Sequence, residues 1–183
     1  MHFEEKTISK EVLYEGKIID VEKHLVTLPN DQTAYREIVK HNGAVAVCAM
    51  TPENKVILVK QFRKPLEHTL IEIPAGKLEI GENREAAAKR ELEEETGYRT
   101  KNLTHIGDVY GAPGFSNELI SIYFTNQLEK GHIQLDEDEF VETLYYTLSD
   151  VQQAVSSRKI KDAKTLIALQ YVLSVYNHSN EKG

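Results

Sequence analysis

Glu91, Glu94 and Glu95 stand at i, i+3 and i+4, which on a helix puts three carboxylates on one side while Glu93 points away. Like charges at this spacing repel unless water or a cation covers them. Hard divalent cations take oxygen ligands, and Mg²⁺ binds through a few carboxylates together with substrate phosphates. A solvated acidic face is the ordinary explanation of a bare Glu-Leu-Glu-Glu-Glu run. Here the run closes a longer arrangement: Gly76, five residues, Glu82, seven residues, then Arg90-Glu91. The glycine break, Glu82 and Arg90 at fixed spacing favour a cation site over a solvated face.

The elements around this stretch follow from local chemistry. Pro74-Ala75-Gly76 breaks the chain, Asn83 reads as a helix N-cap, Ala86 to Ala88 propagate the helix, and Gly97 ends it. Upstream, residues 11–41 hold three strand-like runs that predict an antiparallel meander, with a turn at Leu28-Pro29-Asn30-Asp31. Ala44–Thr51 and Val56–Phe62 are apolar enough for core strands, and Pro52-Glu53-Asn54 joins them. Thr69–Ile73 leads into the break. After Gly97, strands are predicted at Thr104–Tyr110, Ile120–Thr125 and Phe140–Leu148. The loop 111–118 is longer than a tight hairpin needs, and such loops often carry function. Ser149 with Gln152 predicts a capping box for a second helix. A third helix, about Ala163 to Tyr176, carries an apolar stripe of Leu166, Leu169, Leu173 and Tyr176 suited to a core. The fold class is α+β, a sandwich around a central mixed sheet.

Composition bounds the function. The 183 residues carry a net charge of −7, which argues against a nucleic-acid polymer as the main partner. Cys48 is the only cysteine, so no internal disulfide forms and a cytoplasmic location is expected. It lies in the apolar run AVAVCAM, as a buried structural thiol would. No run is long enough to span a membrane, and MHFEEKTISKE is too polar for a signal peptide.

The spacing from Gly76 to Tyr98 resembles the signature of the Nudix hydrolases, G-x5-E-x7-REU-x-EE-x-G-U with U bulky and apolar; only Tyr98, at the last position, departs from an aliphatic residue. The resemblance implies a Nudix-type α/β/α sandwich over residues 43–183, preceded by an N-terminal antiparallel β arm over residues 1–42. It implies Mg²⁺, with Mn²⁺ as the alternative, and cleavage of a nucleoside diphosphate linked to another moiety. Hydrolysis of a pyrophosphate needs its charge masked, a water activated and the leaving phosphate stabilised. By the match, Glu91, Glu95 and the Ala75 carbonyl are metal ligands, Glu94 contacts metal in some members, Arg90 orients the glutamates and Glu82 supports them.

Further matches are to the ADP-ribose pyrophosphatase branch. The run Asp136-Glu137-Asp138-Glu139 resembles its acidic loop, which makes Glu137 the general base and Glu139 a further metal ligand. Pro113 lies where that branch carries a proline after the box. Gln61-Phe62-Arg63 resembles its Q-x-R strand, whose arginine holds the pyrophosphate; a planar guanidinium suits that task. Tyr35-Arg36-Glu37 lies in an arm that the branch exchanges between subunits, so Arg36 and Glu37 would reach the partner's substrate in a homodimer. Glu118 would touch the terminal ribose. After Gly16-Lys17 the branch stacks adenine on an aromatic; Ile18 stands there and the chain has no Trp. The expected activity is hydrolysis of ADP-ribose to AMP and ribose 5-phosphate. The alternatives are another nucleoside diphosphate sugar as substrate, or a non-catalytic ADP-ribose sensor. The intact glutamates weigh against the sensor.

Overall fold

The computed structural model describes residues 2–135, 137 and 139–180, with side chains through Tyr176. The chain divides into two compact units, Met1–Gly43 with Tyr110–Leu119, and Ala44–Val109 with Ile120–Gly183.

The first unit is a three-stranded antiparallel sheet in the order β1 (Lys6–Glu15), β2 (Asp20–Thr27), β3 (Thr33–Lys40). Asp31 closes the β2–β3 turn in the left-handed region, at φ 63°, where a short polar side chain is tolerated. Every residue of β1 is exposed. The segment 110–119 docks beside β3: Val39 N–H donates to Phe115 O at 2.7 Å, and His41 N–H to Asn117 Oδ1 at 2.8 Å.

The second unit is built on β4 (Ala44–Met50), β5 (Lys55–Arg63), β6 (His68–Glu72), β7 (Ala75–Lys77), β9 (Thr104–Tyr110), β10 (Leu119–Thr125) and β12 (Val141–Thr147). The sheet runs β12-β5-β4-β10-β9, with β6 paired to β5 and β7 to β4. β10 lies parallel to β4, whereas β5 is antiparallel to it, so the sheet is mixed. β8 (Tyr98–Arg99) and β11 (Glu129–Lys130) form a separate small ladder.

The apolar run of β4 is explained by two covered faces. Val45, Val47 and Ala49 pack with Ala87, Ala88 and Leu92 of helix α1 (Arg84–Thr96). Ala46, Cys48 and Met50 pack on the other face, with Val151 and Ala154 of α2 (Leu148–Ser156) and Leu169 and Val172 of α3 (Ala163–Asn180). The unit is thus an α/β/α sandwich, and the antiparallel sheet of the first unit precedes it in sequence. Burial pushes the Cys48 thiol up to about 12, as befits an inert core residue.

One boundary differs from expectation. The α2 capping box uses Thr147 and Asp150, not Ser149 and Gln152. The Thr147 hydroxyl accepts from Asp150 N–H at 3.1 Å, and Asp150 Oδ2 accepts from Thr147 N–H at 2.9 Å. The shorter Asp side chain closes the same reciprocal box two positions earlier, on the last residue of β12. Among the described residues no helix is long and apolar enough to cross a membrane.

Candidate active site

Helix α1 is held at both ends as its sequence dictates. Asn83 Oδ1 accepts from Ala86 N–H at 3.1 Å, and Gly97, at φ 71°, donates to Glu93 O at 2.8 Å. Gly76 on β7 lies against this helix, and a Cβ there would overlap the Glu91 carboxyl group. The missing side chain lets the backbone of the Pro74 break approach the carboxylates. Glu93 turns away, and its Oε1 accepts from His132 N–H at 3.3 Å.

Arg90 is the hub of the acidic face. Its Nε and Nη2 donate to Glu82 at 3.0 and 3.1 Å, and its Nη1 donates to both Glu91 and Glu94 at 2.8 Å. The guanidinium is held in its charged form above its ordinary range, first by Glu82 and then by Glu91 and Glu94. Glu95 lies deeper and is 3% exposed. Its Oε2 accepts from Ala75 N–H at 3.2 Å. Burial first, then the charges of Glu139 and Glu91, push its carboxyl up to about 8. Burial likewise raises Glu91, against the pull of Arg90. Glu139 Oε1 accepts from Gln61 Nε2 at 3.2 Å.

Three carboxylates therefore feel one another in a low-dielectric setting. Among the described residues no three acidic, histidine or cysteine side chains stand close enough together to hold a metal ion as placed. The donors are all hard oxygens, and the penalty of buried like charge is what a divalent cation relieves, so these residues fit one.

Arg63, two residues after Gln61 on β5, is clamped from one edge. Its Nε and Nη2 donate to Glu72 Oε1 and Oε2 at 2.6 and 2.8 Å. Glu72 is 1% exposed and also accepts from Lys164 Nζ at 2.5 Å. Sequence reasoning did not single out Glu72 or Lys164. The available signal was a lone acid at the end of an apolar strand, because a charge that is buried must be paired.

Glu137 is exposed at a turn, and its neighbours Asp136 and Asp138 lie outside the described residues. In the first unit, the Arg36 guanidinium is taken by Glu5, with Nε at 2.8 Å and Nη2 at 2.6 Å. Glu37, Pro113 and Ile18 are exposed. Lys23 Nζ sits 4.4 Å from the Tyr35 ring centroid. Glu118 is half-buried, with Oε1 3.7 Å from His41 Nδ1; that nitrogen accepts from Gly43 N–H.

Residues 40–168 match the NUDIX domain family. The chain belongs to the Nudix family and is a Nudix hydrolase. It is 54% identical over 171 residues to an ADP-ribose pyrophosphatase of Bacillus subtilis, covering 92% of each chain. It is 48% identical over 172 residues to a methanol dehydrogenase activator of Bacillus methanolicus, covering 93% of each. The crystal structure of an ADP compounds hydrolase superposes with a TM-score of 0.82 at 20% identity, over 96% of this chain and 95% of that one, which is likeness of fold.

Proposed function

We propose that this protein hydrolyses ADP-ribose to AMP and ribose 5-phosphate in the cytoplasm, using Mg²⁺. The observation that carries the reading is the cluster of half-buried Glu91 and Glu139 around the buried Glu95, beside Arg63, a cation already oriented on the same unit. The extensive likeness to an ADP-ribose pyrophosphatase supports the substrate. Glu91, Glu95, Glu139 and the Ala75 carbonyl would hold the cation, which masks diphosphate charge and acidifies a bound water. Arg90 keeps Glu91 and Glu94 in place. Arg63 holds the diphosphate through its remaining edge. Glu137 takes a proton from the attacking water. One P–O bond of the bridge breaks, one forms to the water oxygen, and the leaving phosphate departs on its nucleoside or ribose.

In this reading the N-terminal arm is exchanged across a homodimer. Arg36 and Glu37 meet the partner's substrate, Ile18 packs against the adenine, and Pro113 and Glu118 line the ribose end. The test is phosphate release coupled to a phosphatase, over a panel of nucleoside diphosphate sugars with and without Mg²⁺. ADP-ribose should be turned over fastest and only with the metal. Faster turnover of another nucleotide sugar would reassign the substrate, and binding of ADP-ribose without turnover would make the protein a sensor.

A further inference from the structure

The second cation on Glu72 calls for a reason. One guanidinium already neutralises that carboxylate, through two parallel hydrogen bonds. Lys164 adds another charge from the first turn of α3, the positive end of a helix dipole, where a lysine is disfavoured. It is held there by Glu72 and by Asp162, whose Oδ1 lies 3.0 Å from Nζ. Asp162 Oδ2 also accepts from the N–H and hydroxyl of Thr165, at 3.0 and 2.6 Å. Thr165 Oγ1 in turn accepts from Ile73 N–H at 2.8 Å. The start of α3 is thus fastened to the residues between Arg63 and the Pro74 break.

Stability alone does not explain this. A buried ion pair is weak support for a fold, because desolvation offsets most of its attraction. Position explains it better. Burial by itself would raise the Glu72 carboxyl, but Arg63 and Lys164 outweigh it and hold it below the usual range. Glu72 therefore stays ionised, with both oxygens committed. The charge of Glu95 also reaches Arg63. An arginine released from Glu72 still feels a second carboxylate, and that carboxylate belongs to the cation cluster.

We propose that Glu72, secured by Lys164, is a positioning residue with two tasks: it presents the free edge of Arg63 to the diphosphate, and it keeps Arg63 off Glu95 so that the cluster stays open to the metal. This rests on the function proposed above for Arg63 and Glu95.

The test uses the charge-balanced double variant Glu72→Gln/Lys164→Met, which removes one charge of each sign and keeps both side chains nearly isosteric. An amide accepts only one of the two Arg63 hydrogen bonds. Losing a charge-assisted bond should raise KM for ADP-ribose roughly tenfold or more, with a smaller change in kcat. Calorimetric binding of Mn²⁺ to the substrate-free protein should weaken in parallel. Adding Arg63→Met should return Mn²⁺ affinity to the wild-type value while KM stays high. A purely structural role would lower the melting temperature yet leave KM and Mn²⁺ affinity of the folded protein unchanged, and that result overturns the proposal. If the double variant does not fold, Arg63→Lys serves: lysine cannot make the fork, so KM should rise with Mn²⁺ affinity unaltered. Unchanged KM would overturn it. Should the wild type not hydrolyse ADP-ribose, the Mn²⁺ measurements still decide whether Glu72 guards the cluster.

Discussion

The chain carries two forked Arg–Glu pairs of nearly the same geometry, one in each compact unit. Arg63–Glu72 closes at 2.6 and 2.8 Å with the Glu72 side chain 2% exposed; Arg36–Glu5 closes at 2.6 and 2.8 Å with the Glu5 side chain 33% exposed. Distance does not separate them, but solvent does. Water screens the exposed pair, and pairs of that kind contribute little. The Arg63 side chain is itself 36% exposed, but the Glu72 carboxylate is shut from solvent, so the pair cannot open without stranding that charge in a poor dielectric. The same two residue types therefore act as a fixed clamp in one unit and as a solvent-screened contact in the other; under the proposed function, a substrate phosphate would take the place of Glu5.

Five measurements would break or sharpen this contrast. The largest effect should come from the cluster the buried clamp serves. Glu91→Gln and Glu95→Gln should each bring ADP-ribose turnover to near background with the fold kept, because each removes charge that anchors the cation. Retained turnover at saturating Mg²⁺ in both would end the metal assignment. Next is Glu137→Gln, which should lower kcat by about 10²-fold or more and KM little, the pattern of a lost general base. An unchanged pH–rate profile would pass that role to Glu94.

The third measurement concerns the exposed pair across subunits. If the arm is exchanged as proposed, Arg36→Ala and Glu91→Gln chains, each nearly inactive, should regain activity when mixed, since the heterodimer then has one intact site. A mixture that stays inactive after confirmed subunit exchange removes the shared site. Fourth, Glu72→Gln should cost about 3 kcal/mol in denaturant unfolding at neutral pH, since two cations lose their buried partner. The carboxyl is held below its ordinary pKa, so its contribution is present above about pH 4.5 and fades as pH falls through the lowered folded value. The gap between wild type and variant should therefore narrow on acidification; a constant gap would mean that Glu72 is not ionised in the fold. Smallest of all, Glu5→Gln should leave the melting temperature unchanged while modestly lowering KM. A clear loss of stability would show that the two pairs are not different in kind.

The sequence revealed the two regions unequally. Box helix α1 could be read with its N-cap Asn83 and C-cap Gly97, because caps are local and the spacing from Gly76 to Tyr98 is fixed. The core strands could be read as apolar runs, and the meander from alternation and turn residues. β7, β8 and β11 could not, since two or three residues carry no period. For the second helix the spacing of Ser149 and Gln152 points to the wrong box, because Thr147 and Asp150 meet the same spacing two positions earlier and lie where the strand ends. The clamp was hidden for another reason. Glu72 and Lys164 lie 92 positions apart, and only the fold brings them together. Arg63 was identified by resemblance, but what fixes it was not.

The contact between Gly76 and Glu91 also limits how this protein can vary. Gly107 and Gly114 could drift to alanine by a single step, because open space surrounds the position a methyl would take. At Gly76 the same step would displace a carboxylate of the cluster, so even a mild, fold-compatible change becomes a change in chemistry. A directed-evolution library that spares Gly76 would keep this approach of backbone to carboxylate while the rest of the chain varies.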